Sequence, residues 1–204
     1  MSSPVRKKEI SEVLQKIGRN VLLFQLLENQ LKTLLTSSIS GYVSEIQSKQ
    51  KEFIKKTNKM PMGDVTNQLL KKPNTSLNSP PVEELEDLEE PWISITYSIN
   101  SVKINENKDN LSEVKAGEDH VKARKKLLKE LVVERNKLVH HFYEQWPLDV
   151  AENRKSAMTF LDSQSERIQA AINKLGEELY TLKAAVDRWI SSPEFQAFID
   201  VPDE

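Results

Sequence analysis

The chain predicts a mainly all-α protein, an up-and-down helical bundle with a small β-strand or hairpin insertion around residues 92–104. Three observations carry this. Apolar residues recur at three- and four-residue steps over long stretches, the signature of amphipathic helices. Glycine is scarce, 5 in 204 residues, which disfavours turn-rich β folds. One window alone, 92–104, changes to a two-residue period. A length of 204 residues suits a single domain spanning 1–204.

The first helix is expected over 5–38. Ile10, Val13, Leu14, Ile17, Val21, Phe24, Leu31, Leu34 and Leu35 keep helical spacing. Leu22, Leu23, Leu26 and Leu27 widen its apolar surface, so neighbours are expected on two sides. Asn20 and Glu28 fall on or beside the main apolar face. Residues 40–59 read as a second helix with lysines outside, ended by Pro61, and 65–71 as a short helical piece. The stretch 74–91 reads as a break. It holds Pro80, Pro81 and Pro91 around an acidic run, Glu83 to Glu90, which suits a solvated loop or linker and also a strip for a basic partner.

In 92–104, Ile93, Ile95, Tyr97 and Ile99 alternate with Ser94, Thr96 and Ser98, a half-buried strand that Asn100-Ser101 can turn back as a hairpin. Residues 105–110 read as polar loop. A third long helix starts at Ser112 or Gly117 and runs to Gln145, closed by Pro147. A fourth covers 150–190, with Gly176 as a candidate break. A short C-terminal helix is expected over 194–199. No internal repeat is present.

Composition narrows the chemistry. The absence of cysteine removes disulfides, thiolate metal sites and a cysteine nucleophile. With 3 histidines, a histidine-rich metal site is not expected, and no other cofactor is either. Neither G-x-G-x-x-G nor the Walker A pattern occurs. A net charge of −2 supplies no global field for nucleic acid, so any RNA contact needs a local basic patch. The N-terminus lacks a secretory apolar core and no apolar run approaches transmembrane length, so the expected location is cytoplasmic, away from membranes.

The stretch that carries chemistry is Glu134-Arg135-Asn136-Lys137-Leu138-Val139-His140-His141. At about 100° per residue, Leu128, Leu131, Val132, Leu138, Val139, Phe142 and Trp146 form one apolar stripe. Arg135 falls near its centre. A guanidinium there needs an anion or an interface, because an unpaired buried charge is expensive. Glu28, misplaced on its own helix, is a candidate partner for it; a solvated rim position is the alternative. Asn136, His140 and Tyr143 share a ridge on one flank of the stripe. His140 lies about 140° round from Arg135 and His141 about 120° the other way. His140 is the favoured imidazole because it shares the Asn136 ridge, with His141 as the alternative. Upstream, Lys122, Arg124, Lys125, Lys126 and Lys129 suit contact with a phosphate backbone and equally an exposed helix face. Tyr143 suits stacking on a base or ordinary helix packing.

The run Arg135 to His140 resembles the R-x4-6-H signature of the HEPN superfamily (higher eukaryotes and prokaryotes nucleotide-binding). Gly18-Arg19-Asn20-Val21 through Glu28 and Leu31-Lys32 is similar to the opening helix of such domains. The resemblance covers the two long helices and extends elsewhere only through architecture. It implies a helical bundle forming a twofold dimer through the Arg135/His140 helix, with both copies' Arg135 and His140 on one RNA cleft. It further implies a metal-independent endoribonuclease, as in toxins of toxin–antitoxin pairs and phage defence, with a minimal nucleotidyltransferase-like antitoxin as a possible partner. Arg135, His140 and Asn136 would be its catalytic residues. Other members are non-catalytic nucleotide- or RNA-binding or protein-interaction modules, which is the alternative expectation.

Overall fold

The computed structural model describes residues 4–37, 39–71, 92–97, 101–106, 110–115 and 118–193. The stretches expected as a break at 74–91 and as a helix at 194–199 lie outside the described residues. The described chain is mostly helical. Its elements are α1 (Pro4–Thr36), β1 (Ile39–Tyr42), α2 (Val43–Asn58), α3 (Met62–Leu70), β2 (Trp92–Tyr97), β3 (Ser101–Glu106), β4 (Asn110–Lys115), α4 (Glu118–His140), α5 (Phe142–Gln145) and α6 (Ala151–Ile190). They divide into two compact units, one of residues 1–30 and 126–175, the other of 31–125 and 176–204.

In the first unit, α1 opens on Pro4, whose fixed φ suits the first helical position. Val13, Phe24 and Leu27 of α1 are buried, as are Leu128, Leu131 and Leu138 of α4 and Leu161, Ile168 and Ile172 of α6. Glu9 binds Arg154, Lys16 binds Asp162, and Asn20 binds Gln164. Rising numbers on α1 meet rising numbers on α6, so these helices run parallel. Glu134 meets Arg167 while the later Trp146 meets the earlier Phe160, so α4 and its continuation run antiparallel to α6.

Of the leucines expected to widen the apolar surface of α1, Leu27 is buried and Leu23 half-buried, whereas Leu22 and Leu26 are not covered. Leu14, Leu22 and Leu26 are exposed, 65% in the case of Leu22.

In the second unit, α1 ends with local bonds: Thr36 Oγ1 donates to the Lys32 carbonyl and Ser37 Oγ to that of Thr33, at 2.9 and 2.8 Å. Met62, Val65, Thr66 and Leu69 bury one face of α3. Four antiparallel strands follow the order β1-β2-β3-β4, with Ile95 of β2 opposite both Ile39 of β1 and Ile104 of β3.

Several boundaries differ from the sequence reading. Residues 40–42 belong to β1, so α2 starts at Val43. Of the stretch expected as loop, residues 105–106 belong to β3 and 110 to β4, while 107–109 lie outside the described residues; residues 110–115 pair with β3, and α4 begins at Glu118 and not at Ser112. Pairing to a neighbouring strand outweighs local pattern here. Gly176 does not interrupt α6, which is continuous from Ala151 to Ile190. The third long helix does not reach Gln145 unbroken: it stops at His140, and His141, at φ −128° and ψ 11°, separates it from α5. No described helix is long and apolar enough to cross a membrane.

Candidate nucleic-acid interface

Helix α4 places Arg135 one turn beyond Leu131 and one turn before Leu138, both buried. Arg135 is half-buried. Its Nη1 donates to Asn136 Oδ1 at 3.2 Å. Among the described residues no carboxylate pairs with it, and Glu28, half-buried on α1, is not brought to it. Several other cations of these helices are matched. Arg124 pairs with Glu178, Arg154 with Glu9, Arg167 with Glu134 and Lys16 with Asp162. Glu134, next to Arg135, is thus committed to α6. Its Oε2 is buried with no partner among the described residues.

His140 is the last residue of α4 and its ring is exposed. The His141 ring lies 6.3 Å away, edge-on. His141 Nδ1 is 2.9 Å from Glu144 Oε2, which ties that imidazole to α5. Asn136 and Val139 are exposed on the same helix. The interruption at His141 corrects the expected ridge: Tyr143 belongs to α5 and no longer continues the α4 line through Asn136 and His140. It is 61% exposed and meets Phe142 edge-on. Phe142 in turn is buried and packs on Trp146, whose ring centroid is 4.5 Å from that of Phe160. The apolar stripe of the wheel is narrower than expected, because Val139 is 48% exposed.

The upstream basic residues separate into two kinds. Lys122, Lys126 and Lys129 are exposed, with Lys122 4.0 Å from Asp119. Arg124 is largely buried against Glu178, and Lys125 is half-buried. Arg124 therefore serves packing rather than an open cationic surface. Lys126 and Lys129 share a compact unit with Arg135 and His140.

Sequence reasoning passed over polar residues by which α6 binds its neighbours. Arg154 and Gln164 occupy buried positions on α6 in line with Ala157, Leu161 and Ile168. Their signal was present: polar side chains at core spacing in 150–190, of the same kind that singled out Arg135. Arg167, exposed on α6, forms an ion pair with Glu134 of α4. Among the described residues, no three histidine or acidic side chains are grouped to hold a metal ion. Compared with protein-family models, curated proteins and solved structures, the chain matches none.

Proposed function

We propose that the exposed side of α4 around Arg135 and His140 is an RNA-cleaving site completed by a second copy of the chain. The observation that carries this is Arg135: a half-buried guanidinium in the inward arc of α4 that no described carboxylate neutralises, while Arg124, Arg154 and Arg167 each hold one. A cation so placed suits phosphate, whose oxygens match the planar guanidinium fork. The exposed imidazole of His140 and the amide of Asn136 lie on the same helix, and the resemblance to HEPN ribonucleases supplies the reaction class.

In that reaction an imidazole takes the proton of the ribose 2′-hydroxyl and the 2′-oxygen bonds to phosphorus. The bond from phosphorus to the 5′-oxygen breaks, and that oxygen receives a proton from an acid. The products are a 2′,3′-cyclic phosphate and a 5′-hydroxyl. Arg135 balances the charge growing on the phosphoryl oxygens. Asn136, already bonded to Arg135, orients the guanidinium. His140 is the working imidazole because His141 is engaged by Glu144. Lys126 and Lys129 guide the backbone of the strand, and Tyr143 stacks on a base. In a cell this activity would act as a toxin or phage-defence effector, held in check by an antitoxin of the minimal nucleotidyltransferase kind.

The test is cleavage of single-stranded RNA by the purified protein in a metal chelator. The wild type leaves cyclic phosphate ends. His140→Ala and Arg135→Ala lower the rate by about 10²-fold or more with melting curves unchanged in shape, and His141→Ala keeps most activity. Intact RNA after incubation with the wild type sinks the enzymatic reading. Binding without cleavage, lost in Arg135→Ala, favours the RNA-binding module instead.

A further inference from the structure

Between residues 11 and 29, the exposed residues of α1 are Ser11, Glu12, Leu14, Gln15, Gly18, Arg19, Leu22, Gln25, Leu26 and Asn29. Two of them are charged, and both are drawn to the edge that meets α6. Arg19 Nη2 is 3.1 Å from Asp162 Oδ1, and Glu12 is 3.9 Å from Lys16, which also binds Asp162. The rest of the face is neutral for five turns, in a chain of which 29% of residues are charged. Leu14, Leu22 and Leu26 are 47%, 65% and 46% exposed along it. Gly18 lies in the same row, and a Cβ there would meet nothing within 4 Å. Glycine weakens a helix interior, and nothing within the described chain requires it at this position.

We infer that this face of α1 is a helix-crossing contact with the same face of a second copy of the chain. Charge decides the occupant. A twofold contact sets a surface against itself, so any unbalanced charge would meet its like. A neutral face avoids that, whereas a charged partner would lose hydration here without a compensating group. The row Leu14, Gly18, Leu22 and Leu26 follows four-residue steps, the ridge that interdigitates with its equivalent when two helices cross. Gly18 lets the two backbones approach at the crossing point. The contact is separate from the α4 surface proposed for RNA and does not depend on it.

Sedimentation of the full chain over a range of concentrations tests this, joined by disulfide trapping, which the cysteine-free sequence makes specific. The wild type self-associates. Leu22→Glu weakens the association at least tenfold while leaving the circular dichroism spectrum intact. Gly18→Ala raises the melting temperature yet weakens association. Leu22→Cys gives covalent dimers under mild oxidation, and Tyr180→Cys, 77% exposed on α6, does not. A wild type that stays monomeric at every concentration overturns the inference. So does a dimer that survives Leu22→Glu but is lost in Val139→Glu, an outcome that leaves the RNA-site proposal standing.

Discussion

Asp162 is held between Lys16 and Arg19 of α1, with Lys16 Nζ 2.7 Å from its Oδ1 and Arg19 Nη2 3.1 Å from the same atom. The hydrogen bond from Lys16, helped by that from Arg19 and by both positive charges, holds its carboxyl below the ordinary value of 3.8 against a smaller opposing effect of burial. A carboxylate favoured in this way stabilises the folded chain above its unfolded-state pKa. The contribution is lost as pH falls through the lower folded-state value. The side chain is 45% exposed, so screening keeps the effect small. Asp162→Asn is expected to lower stability by about 0.2–1 kcal/mol at neutral pH. Urea titrations at falling pH should show the two proteins converging below pH 3.8. A gap that persists undiminished at strongly acid pH would assign the loss to packing instead. Nearby, Asn20 is fully buried yet satisfied, donating to the Leu161 carbonyl at 2.8 Å and to Gln164 Oε1 at 3.0 Å. Its place on the apolar face of α1 thus reflects a bond between helices and not a misfit.

At the scale of elements, Arg154 pins the turn between α5 and α6. Arg154 is buried, donates through Nη1 to the carbonyls of Leu148 and Asp149, and through Nε to Glu9. Arg154→Met removes the cation but leaves two carbonyls and a carboxylate without their donor. Removing one partner of such a pair costs about 3–5 kcal/mol. Chemical denaturation should show that loss; a change within about 0.5 kcal/mol, the usual range for surface positions, would mean that the turn holds without it. Arg154 also shows where sequence reading reaches its limit. The long helices were legible because Val13, Phe24 and Leu31 on α1, and Leu128, Leu131 and Leu138 on α4, repeat at helical spacing over many turns. The partner of a buried charge was not. Arg135 was paired in expectation with Glu28 because both looked misplaced, but Glu134 and Arg167 form the ion pair between α4 and α6. A wheel gives the angle of a side chain on its own helix and carries no information on which helix lies opposite. The stop at His141 was hidden for a related reason. No proline or glycine marks it, and the buried aromatic contacts of Phe142 and Trp146 lie across the interruption. The strand β4 was missed because residues 110–115 have no two-residue period, and their order comes from pairing with β3.

For the molecule as a whole, the proposed site makes a claim about number. One copy offers one Arg135, half-buried, and one exposed His140 that stands apart from its neighbour's bond to Glu144. Cleavage by the scheme above needs both a base and an acid, and His141 is committed elsewhere. Two copies sharing one cleft supply two imidazoles and two guanidiniums, which one copy does not. The double variant Arg135→Ala, His140→Ala changes an exposed side chain and a half-buried one that holds no carboxylate, so it should fold and assemble like the wild type. Mixed with the wild type in equal amounts under conditions that exchange subunits, it forms hybrids. If the cleft needs residues from both copies, only wild-type pairs cleave, about one quarter of all dimers, and activity falls to about half of that of the same wild-type protein alone. If each copy carries a complete site, activity per wild-type chain is unchanged by the mixture. The rate of RNA cleavage against the fraction of variant separates these outcomes, since a shared cleft gives a squared dependence on the wild-type fraction and independent sites give a straight line. Subunit exchange is verified on the same samples by a size tag on one partner, so that a straight line with exchange complete would remove the shared cleft from the proposal.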